Sequence, residues 1–475
     1  MNIKKYLSLS GSLALTTLSL QSAETNAQEK RPNVLVILLD DAGYNDFGFM
    51  GSKDIQSPQI DNLCSKGVKL TNAYVSASVS GPSRAGILSG RYQQRFGYEC
   101  NLGDTLGLAL NEQTIGNVFQ QNGYATACIG KWHQGDTPEY HPNRRGFDHF
   151  YGFIAGGRHY FYEPERDDRP GDVHNLQLNG KQQQFNGYLT DVLADGAIDF
   201  LRNNNKPFMM YLAFNAVHTP LQATQEDLAR FKGHPRQLLA AMTWAVDRAI
   251  GKVINFLEAS GQIDNTLVFF LSDNGGAHDN QSSNYPLKGF KGNKYEGGIH
   301  VPYFVVWKNH LQENTQFDGL ASSLDIFATA AAAAGINTNS LAKPLDGVNL
   351  IPYLTQERQG SPHEKLFWRK DQMAAVRCGN YKLIRVNGLG ERIYDLSTDG
   401  QEDADLCKQN KKRHSELQQE LKNWEKELIQ PLWGEGEAWD KVTFEVHRDL
   451  MNNQPVRFKN PWDMKKYLKK HPQNQ

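Results

Sequence analysis

Two short acidic segments follow apolar runs and carry side chains that suit a metal ion. They are Asp40-Asp41 and Asp273-Asn274. Their oxygen atoms are hard ligands, which calcium and magnesium prefer and zinc and copper do not. A single aspartate after an apolar run is more often a turn former or a helix cap. From these two segments alone, a metal site and ordinary turns are both possible interpretations.

Two further segments are cationic and also follow apolar runs. Residues 130–133 read Gly-Lys-Trp-His, which places Lys131 and His133 side by side. His218 follows the apolar run at residues 208–214 and precedes Pro220. Taken singly, such residues are common as solvated loop side chains or structural histidines, so their function depends on what surrounds them.

The segment SGPSRAGILSGR, residues 80–91, has the features of a helix start that could hold an anion. Pro82 suits the first turn of a helix, where free N–H groups attract negative charge. Arg84 lies one turn further on and could direct a planar cation at the same anion. For a lone Ser-x-Pro, an ordinary N-capping serine would be a simpler interpretation than an anion site. The anion site is therefore supported only by the longer string of residues.

The elements that position these residues are predicted to be buried parallel strands. Continuous apolar runs separated by helix-length stretches are typical of an α/β sheet covered on both faces. Ligands of such sheets bind outside the carboxyl ends of the strands, where the charged residues lie here. The predicted strands are residues 34–39, 125–129, 208–214 and 267–271. The predicted helices are residues 113–121, 238–259 and 324–334.

The pattern changes after about Pro352. Short segments at 373–377, 381–386 and 392–396 alternate with turn signals, which predicts an antiparallel meander. An amphipathic helix follows at 415–429. We therefore predict a catalytic domain over residues 28–360 and a smaller α+β subdomain, an antiparallel sheet plus a helix, over 361–475. From about Pro455 the polar, lysine-rich chain is expected to be irregular.

Composition and the N-terminus bear on partners and location. The net charge of −1 over 475 residues gives no broad basic field for nucleic acid, so anion recognition must be local. Residues 1–27 combine two lysines, an apolar run and small residues, which is typical of a secretory signal. No other segment approaches ~18 uninterrupted apolar residues, so we expect an exported protein, periplasmic or extracellular, without a membrane span.

Five cysteines occur, at no spacing that suggests a zinc site. The odd number leaves at least one without an intramolecular partner. The sequence does not choose a disulfide pair.

Three strings together resemble the type I sulfatase family, in the Ser-type form found in bacterial carbohydrate sulfatases. Residues 80–91 resemble its C/S-x-P-S-R signature with an L-T-G-R-like end, and residues 130–133 match its G-K-W-H. Residues 287–298 are close to its L-R-G-x-K-x-T-x-x-E-G-G pattern, with Lys288 and Asn293 as departures and His300 where arginine often follows. The resemblance covers nearly the whole chain after residue 27. It implies an alkaline-phosphatase-like fold, in which a mixed sheet is sandwiched by helices.

The resemblance also implies two cofactors. Ser80 would be oxidised to formylglycine (3-oxoalanine) by a radical-type sulfatase-maturating enzyme. One divalent ion per chain, calcium outside the cell, would be bound at the two acidic segments. The implied metal ligands are Asp40, Asp41, Ser80, Asp273 and Asn274.

The catalytic residues implied by the resemblance are Ser80, Arg84, Lys131, His133, His218 and Lys291. The three cations among them would surround a sulfate monoester while hydrated formylglycine attacks the sulfur atom. His218, assisted by Lys291, would donate a proton to the leaving oxygen. His133 would then act as a base on the second hydroxyl, which releases sulfate.

The implied function is hydrolysis of sulfate esters on a carbohydrate such as mucin, a glycosaminoglycan or an algal glycan. Candidate sugar contacts are Glu99, Asn101, His174 and Arg369, for which a core or solvated role is equally compatible. Two alternatives stay open. One is a phosphate or phosphonate ester hydrolase of the same superfamily, and the other is an unmatured glycan-binding protein in which residue 80 remains serine.

Overall fold

The computed structural model describes residues 31–101 and 106–471, in which a large mixed sheet lies between helices and a smaller antiparallel sheet follows. The predicted signal segment, residues 1–27, lies outside the described residues. Among the helices of the described chain, none is long and apolar enough to cross a membrane.

The strands of the described chain, numbered from the N-terminus, are β1 (Asn33–Leu39), β2 (Val68–Leu70), β3 (Ala73–Tyr74), β4 (Ala125–Lys131), β5 (His149–Phe153), β6 (Gln177–Leu178), β7 (Lys181–Gln182), β8 (Phe208–Ala213), β9 (Thr266–Ser272), β10 (Tyr303–Trp307), β11 (Thr315–Phe317), β12 (Ala321–Ser322), β13 (Lys365–Lys370), β14 (Met373–Cys378), β15 (Tyr381–Val386) and β16 (Gly390–Asp395).

The α-helices of the described chain, numbered in the same way, are α1 (Pro58–Ser65), α2 (Ser80–Ser89), α3 (Ile115–Gln121), α4 (Leu189–Asn203), α5 (Gln225–Arg230), α6 (Gln237–Ala259), α7 (Glu296–Ile299), α8 (Asp325–Ala333), α9 (Ile351–Leu354), α10 (Lys411–Glu425), α11 (Glu437–Met451) and α12 (Pro461–Lys470).

The large sheet has ten strands in the order β11-β2-β10-β9-β1-β8-β4-β5-β6-β7. Strands β9, β1, β8, β4 and β5 run parallel, whereas β10 is antiparallel to β9 and β6 is antiparallel to β5. Leu38 of β1 pairs in register with Ala213 of β8 and Leu271 of β9, and Ala213 pairs with Gly130 of β4. The carboxyl ends of these four strands are therefore level. They are the four strands predicted from their apolar runs, and that prediction is confirmed.

Both faces of the large sheet are covered, which explains why its strands are apolar throughout. On one face, Leu35 and Ile37 of β1 pack with helices α4 and α6. On the other face, Val34 and Val36 pack in a core that includes helices α2, α3 and α8. The predicted helices at 113–121, 238–259 and 324–334 correspond to α3, α6 and α8. The predicted mixed α/β fold sandwiched by helices is confirmed.

The smaller sheet is a four-stranded antiparallel meander, β13-β14-β15-β16, as predicted for the C-terminal region. Helix α10 packs on it through Leu417, Leu421 and Trp424, and the ring of Trp424 stacks on Phe367 with centroids 5.0 Å apart. This helix is the one predicted at 415–429, and it begins and ends earlier.

The prediction of an irregular C-terminal tail is wrong. Pro461 begins α12, and the side chain of Asn460 accepts a hydrogen bond from the Asp463 amide at 2.8 Å, which caps the helix. Lys469 and Lys470 lie in its last turn, where positive charge stabilises a helix. The lysine-rich composition is thus compatible with helical order.

Helix α11 is a second C-terminal element that the sequence pattern did not predict. It buries Val442, Val446 and Leu450 along one stripe. Spacing of three or four residues between apolar side chains is typical of a helix that packs through a single face.

All five cysteines lie within the described residues, and each is a free thiol. Cys64, Cys100 and Cys128 are buried, as expected of small hydrophobic side chains.

Candidate active site

The level carboxyl ends of β1, β4, β8 and β9 bring the predicted site residues to one edge of the large sheet. Asp40-Asp41 follow β1, Lys131 ends β4, and Asp273-Asn274 follow β9. Backbone hydrogen bonds continue beyond the strands: the Asp40 amide donates to Ala216 (3.0 Å) and the Asp273 amide donates to Leu39 (2.9 Å). The acidic residues are thus held by the sheet itself and do not depend on loop conformation.

Ser80 is the first residue of α2 and is not its N-cap. The N-cap is Val79, an extended residue whose side chain makes no capping hydrogen bond. The Ser80 hydroxyl instead points into the acidic cluster, where Oγ lies 3.0 Å from Asp40 Oδ1 and 3.2 Å from Asn274 Oδ1. The residue is buried. The alternative that Ser80 is the N-cap of this helix is therefore wrong.

Three cations surround the carboxylates. Lys131 Nζ donates to Asp40 Oδ2 at 2.5 Å, and Lys291 Nζ donates to Asp41 Oδ2 at 2.8 Å. Arg84 is fully buried and its Nε donates to Asp273 Oδ2 at 3.0 Å.

A terminal guanidinium nitrogen of Arg84, Nη1, is buried and has no hydrogen-bond partner among the described residues. A buried donor left without a partner is costly, so such an atom indicates a place for a further acceptor. An anion of the kind that Arg84 was predicted to face would satisfy it.

The cations keep the acidic residues ionised. Burial opposes ionisation of Asp40, but the charges of Lys131, His218 and Arg84 outweigh it and lower the pKa of this carboxyl. Burial likewise opposes ionisation of Asp41, and there Lys291 and His218 outweigh it, so that its pKa is also lowered. Both side chains are therefore carboxylates at neutral pH, which is the form that binds a metal ion.

Lys131 and Lys291 differ in their electrostatic setting. Burial lowers the pKa of Lys131 more than its neighbour Asp40 raises it. For Lys291, burial is outweighed by the charges of Asp41 and Asp40, and the pKa is raised. Lys291 is thus a permanent cation of the site. Lys131 is the ammonium from which a proton is more easily removed.

His133 lies directly beyond β4 and is largely buried. Burial and the positive charges of Lys131 and Arg84 hold its pKa well below its usual range, so the imidazole is neutral. Its Nδ1 is buried without a hydrogen-bond partner among the described residues. A neutral imidazole with a free ring nitrogen can accept a proton.

The chain passes so close to His133 at Gly156 that a β-carbon there would lie 2.6 Å from Nε2. Only glycine fits at this distance without moving the ring. The position of the His133 imidazole therefore depends on the absence of a side chain at residue 156.

His218 is oriented by its own backbone neighbour. Its Nδ1 lies 2.6 Å from the Thr219 carbonyl oxygen, which can only accept, so Nδ1 carries the proton. The other ring nitrogen, Nε2, lies 3.6 Å from Asp41 Oδ2. It is therefore Nε2 that faces the acidic cluster.

The acidic residues form one network whose oxygens suit a hard cation. The Asn274 amide nitrogen donates to Asp41 Oδ1 at 2.7 Å, and the Asp41 backbone amide donates to Asp273 Oδ1 at 3.2 Å. The five predicted metal ligands are thus brought together. Ligand atoms of Asp40, Asp41 and His218 also lie within 4.8 Å of one another, so His218 lies at the edge of this group. Carboxylate and amide oxygens in this number match calcium or magnesium.

A cavity of about 490 Å³ opens beside the cluster and reaches the C-terminal region. On one side it is lined by Asp41, His218 and Lys291. On the other side it is lined by residues that the sequence did not single out, and these include His278, Phe290, Glu435, Trp439, His447 and Lys459. The space next to the candidate catalytic residues is therefore bounded both by loops at the edge of the large sheet and by residues of the C-terminal region.

Of the four predicted sugar contacts, the structure places only Asn101 in the wall of this cavity, and its Oδ1 accepts a hydrogen bond from the Gly81 amide at 3.0 Å. Arg369 pairs with the buried Glu99 at 2.6 Å, and neither lines the cavity. His174, also outside the cavity wall, pairs with Asp172, the nearest N–O distance being 2.6 Å. The tryptophans at residues 439 and 462, in an otherwise polar stretch, are a weak sequence signal for the C-terminal part of the wall.

Comparisons with known proteins agree with the geometry. The sulfatase family model matches residues 32–336. The chain is 33% identical to the "uncharacterized sulfatase YdeN" of Escherichia coli (strain K12), over 71% of this chain and 68% of that protein. It is 29% identical to N-acetylgalactosamine-6-sulfatase of Homo sapiens, over 74% of this chain and 71% of that protein.

Among solved structures, the chain resembles that of Ps i-CgsB in complex with k-i-k-neocarrahexaose. The TM-score is 0.81 and the sequence identity is 36%. The match covers 90% of this chain and 100% of that one.

Proposed function

The chain belongs to the sulfatase family, and on this premise we propose that it hydrolyses sulfate esters of a carbohydrate with residue 80 as the nucleophile. One observation carries the proposal. The buried Ser80 hydroxyl contacts Asp40 at the carboxyl end of β1, in a cluster where Asp40, Asp41 and Asp273 are each paired with a cation, Lys131, Lys291 and Arg84 respectively. Such an arrangement stabilises charge that develops on a bound anion during displacement.

Residue 80 is proposed to act as formylglycine, made from Ser80 by a radical-type maturating enzyme. When formed, this group supplies an aldehyde whose hydrate offers a hydroxyl nucleophile. The surrounding chain supports this proposal because Ser80 Oγ is held between Asp40 and Asn274, with no histidine among its hydrogen-bond partners in the described chain. An unmodified serine here has no base to activate it.

We propose that one calcium ion binds at this cluster. Asp40, Asp41, Asp273, Asn274 and residue 80 would hold it, and its charge would polarise a sulfate oxygen. The negative charges of the three carboxylates equal in number the positive charges of Arg84, Lys131 and Lys291. If the histidines are not counted, the net charge of the cluster is therefore zero. A divalent ion would make the site cationic, which suits an anionic substrate.

The remaining side chains supply binding and proton transfer. Arg84 Nη1, Lys131 and Lys291 are proposed to contact the sulfate oxygens. His218 is proposed to protonate the leaving sugar oxygen through Nε2, since Nδ1 is committed to the Thr219 carbonyl. His133, held neutral by burial and by neighbouring cations, is proposed to accept the proton of the second hydroxyl at residue 80, so that sulfate can depart and the aldehyde would be restored.

The substrate class rests on the comparisons. A relative is named for a sulfated amino sugar, and a similar solved structure holds a carrageenan-type oligosaccharide. These support a glycan sulfate as substrate and leave the sugar itself open. The signal-like pattern at residues 1–27 supports export to the periplasm or beyond, where polymeric glycans are found.

The test is sulfate release by matured enzyme. The chain would be produced anaerobically with a radical maturating enzyme, and the mass of the peptide containing residue 80 would be measured, since oxidation removes roughly 2 Da. Ion chromatography would then follow sulfate from monosulfated galactose, N-acetylgalactosamine, glucosamine and fucose and from sulfated oligosaccharides. Sulfate release supports the proposal. Hydrolysis of matched phosphate esters instead, or no release by enzyme with confirmed formylglycine, would overturn it.

A further inference from the structure

The C-terminal segment that follows α10 forms much of the cavity wall beside the candidate active site. Residues from three parts of it line the space: the turn before α11, the helix α11 itself, and the connection to α12. Asp41, His218 and Lys291 line the same cavity. A sugar whose sulfate is bound at the acidic cluster would therefore extend toward this segment.

The segment is fixed by polar contacts to the rest of the protein. Glu435 forms an ion pair with Lys370 of β13 at 2.6 Å. The indole nitrogen of Trp433 donates to the Cys100 carbonyl at 3.1 Å, and its ring lies 4.9 Å from that of Tyr98. Tyr98 in turn approaches the start of α2 so closely that a β-carbon at Gly81 would lie 2.6 Å from its hydroxyl oxygen. These contacts therefore fix the position of the wall relative to residue 80, as a site that determines substrate specificity requires.

Lys459 is a cation of this wall that forms no ion pair among the described residues, although the carboxylates of Asp279 and Asp463 act on the neighbouring His278 together with it. Two other lysines of the cavity are paired, Lys291 with Asp41 and Lys370 with Glu435. Lys459 has no carboxylate within 4.0 Å among the described residues, and its Nζ lies 5.7 Å from the ring centroid of Phe290. A half-buried ammonium beside an aromatic wall is a ready contact for an anionic group.

Two tryptophans lie at the same end of the molecule. Trp439 lines the cavity and is 37% exposed, and Trp462 is 68% exposed, with ring centroids 6.4 Å apart and planes nearly perpendicular. Large exposed apolar side chains that are grouped mark binding surfaces. Indole faces also suit the apolar faces of sugar rings, because the ring gives apolar area while its N–H stays available for a hydrogen bond.

A third feature points to a sugar hydroxyl. Nε2 of His278 is buried and has no hydrogen-bond partner among the described residues, and the ring lies 5.2 Å from that of Phe290. His278 and Phe290 both line the cavity. An unpartnered ring nitrogen at a cavity wall can donate to, or accept from, a hydroxyl of a bound sugar.

We propose that Trp439, Trp462, His278 and Lys459 form a second glycan subsite, which binds the sugar next to the one that is desulfated. Lys459 contacts a second anionic group, a sulfate or a carboxylate, on that sugar. The substrate is accordingly an oligosaccharide with more than one anionic group near the reacting sulfate, and not an isolated monosulfated sugar. This inference rests on the proposed carbohydrate sulfatase function.

The test compares pairs of sulfated oligosaccharides that share the reacting sulfate. One kind of pair differs only in a second sulfate on the neighbouring sugar, and the other differs only in a uronate in place of a neutral sugar. For matured wild-type enzyme, kcat/KM for sulfate release is expected to be about tenfold higher for the doubly anionic member of at least one kind of pair. The kind of pair that shows this higher ratio identifies the second anionic group as a sulfate or as a carboxylate.

Lys459→Met should reduce this ratio to about one, because the doubly anionic member loses the contact that distinguishes it from the singly charged member. Lys465→Met, which removes an exposed lysine of α12 outside the cavity wall, is the matched control and should keep the wild-type ratio. Lys459→Gln replaces the methionine variant if circular dichroism shows that the latter is misfolded. Trp439→Ala should raise KM about tenfold for all oligosaccharides.

The outcomes separate this inference from the function on which it rests. A wild-type ratio of one for both kinds of pair, with sulfate released from every member, overturns the second subsite alone. A high ratio that Lys459→Met leaves unchanged also overturns it. If no oligosaccharide or monosaccharide releases sulfate although formylglycine is confirmed, the proposed function fails and the inference fails with it.

Discussion

The hydroxyl of Ser80 lies 3.0 Å from Asp40 Oδ1, and Oδ2 of the same carboxylate receives the Lys131 ammonium at 2.5 Å. Asp40 therefore joins the candidate nucleophile to a buried cation. Because the Asp40 pKa is lowered, this carboxylate is a poor base for a serine hydroxyl. The arrangement makes sense if residue 80 gains its reactivity from covalent modification and Asp40 serves to hold a metal ion.

Activity should accordingly depend on oxidation of residue 80. Chain produced without a maturating enzyme, and the Ser80→Ala variant, should each lose sulfate release by a factor on the order of 10⁴ or more, since the nucleophile is missing. Activity in partly matured samples should be proportional to the oxidised fraction found by peptide mass. Wild-type rates from chain that carries only serine at residue 80 would contradict the assignment.

Removal of the metal should abolish activity and lower thermal stability. Without a metal ion, the charges of the three carboxylates are compensated only by the lysines and the arginine. Lys131 and Lys291 then stay hydrogen-bonded to Asp40 and Asp41. Incubation with a calcium chelator followed by dialysis should lower kcat at least 100-fold, and added calcium should restore it. The melting temperature should rise with calcium concentration, as expected of a ligand that binds only the folded chain.

Asp273→Asn tests the same site by a different route. It keeps the shape of the residue but removes a charge opposite Arg84, whose Nε donates to Asp273 at 3.0 Å. We expect a higher calcium concentration for half-maximal activity. Full activity of chelated wild-type enzyme would exclude a catalytic cation.

Gly156 provides a test of His133 that leaves the histidine itself unchanged. In Gly156→Ala, the new β-carbon would lie 2.6 Å from His133 Nε2, so the ring must move. Moving a proton acceptor away from its position should lower kcat about 100-fold with a small change in KM. Gly400→Ala is the matched control, since a β-carbon there meets no atom within 4 Å. Equal rates for the two variants would show that His133 is not positioned by Gly156.

For a physical reason, the sequence predicts well which residues meet at the candidate active-site edge of the sheet and predicts poorly which residues line the adjoining cavity. Strands buried on both faces are apolar throughout, so the ends of β1, β4, β8 and β9 stand out as abrupt changes to polar residues. The contact between Lys131 and Asp40 then follows from the alignment of those ends, whereas Lys291 reaches Asp41 from the loop that precedes α7.

The cavity wall has no comparable signal. Its residues come from segments far apart in the chain, and each is unremarkable beside its own neighbours, as with Lys459 in a lysine-rich tail. Glu99 and Arg369 illustrate the converse: both were predicted to contact the sugar, and they neutralise each other across 270 positions of sequence. Only tertiary structure distinguishes a paired charge from a free one.

Lys294 gives a prediction about stability that is independent of catalysis. This lysine is buried, and its Nζ donates to Ser78 Oγ at 2.8 Å. Burial, and then the charge of Lys370, lower its pKa from 10.5 to about 7. In the unfolded chain the same group keeps its proton up to about pH 10. Between these values the unfolded state binds more protons, so the contribution of Lys294 to stability rises with pH.

Lys294→Met keeps the length of the side chain and removes the titration. The free energy of unfolding of the wild type should rise between pH 7 and pH 9 through Lys294, and that of the variant should lack this rise. The free energy of unfolding of the variant minus that of the wild type should therefore fall by about 2 kcal/mol over this interval. Equilibrium unfolding in guanidinium chloride at several pH values measures it. Lys465→Met, at an exposed position, should show a difference that does not vary with pH. A constant difference for Lys294→Met as well would mean that this lysine stays protonated in the folded protein, stabilised by groups other than Ser78.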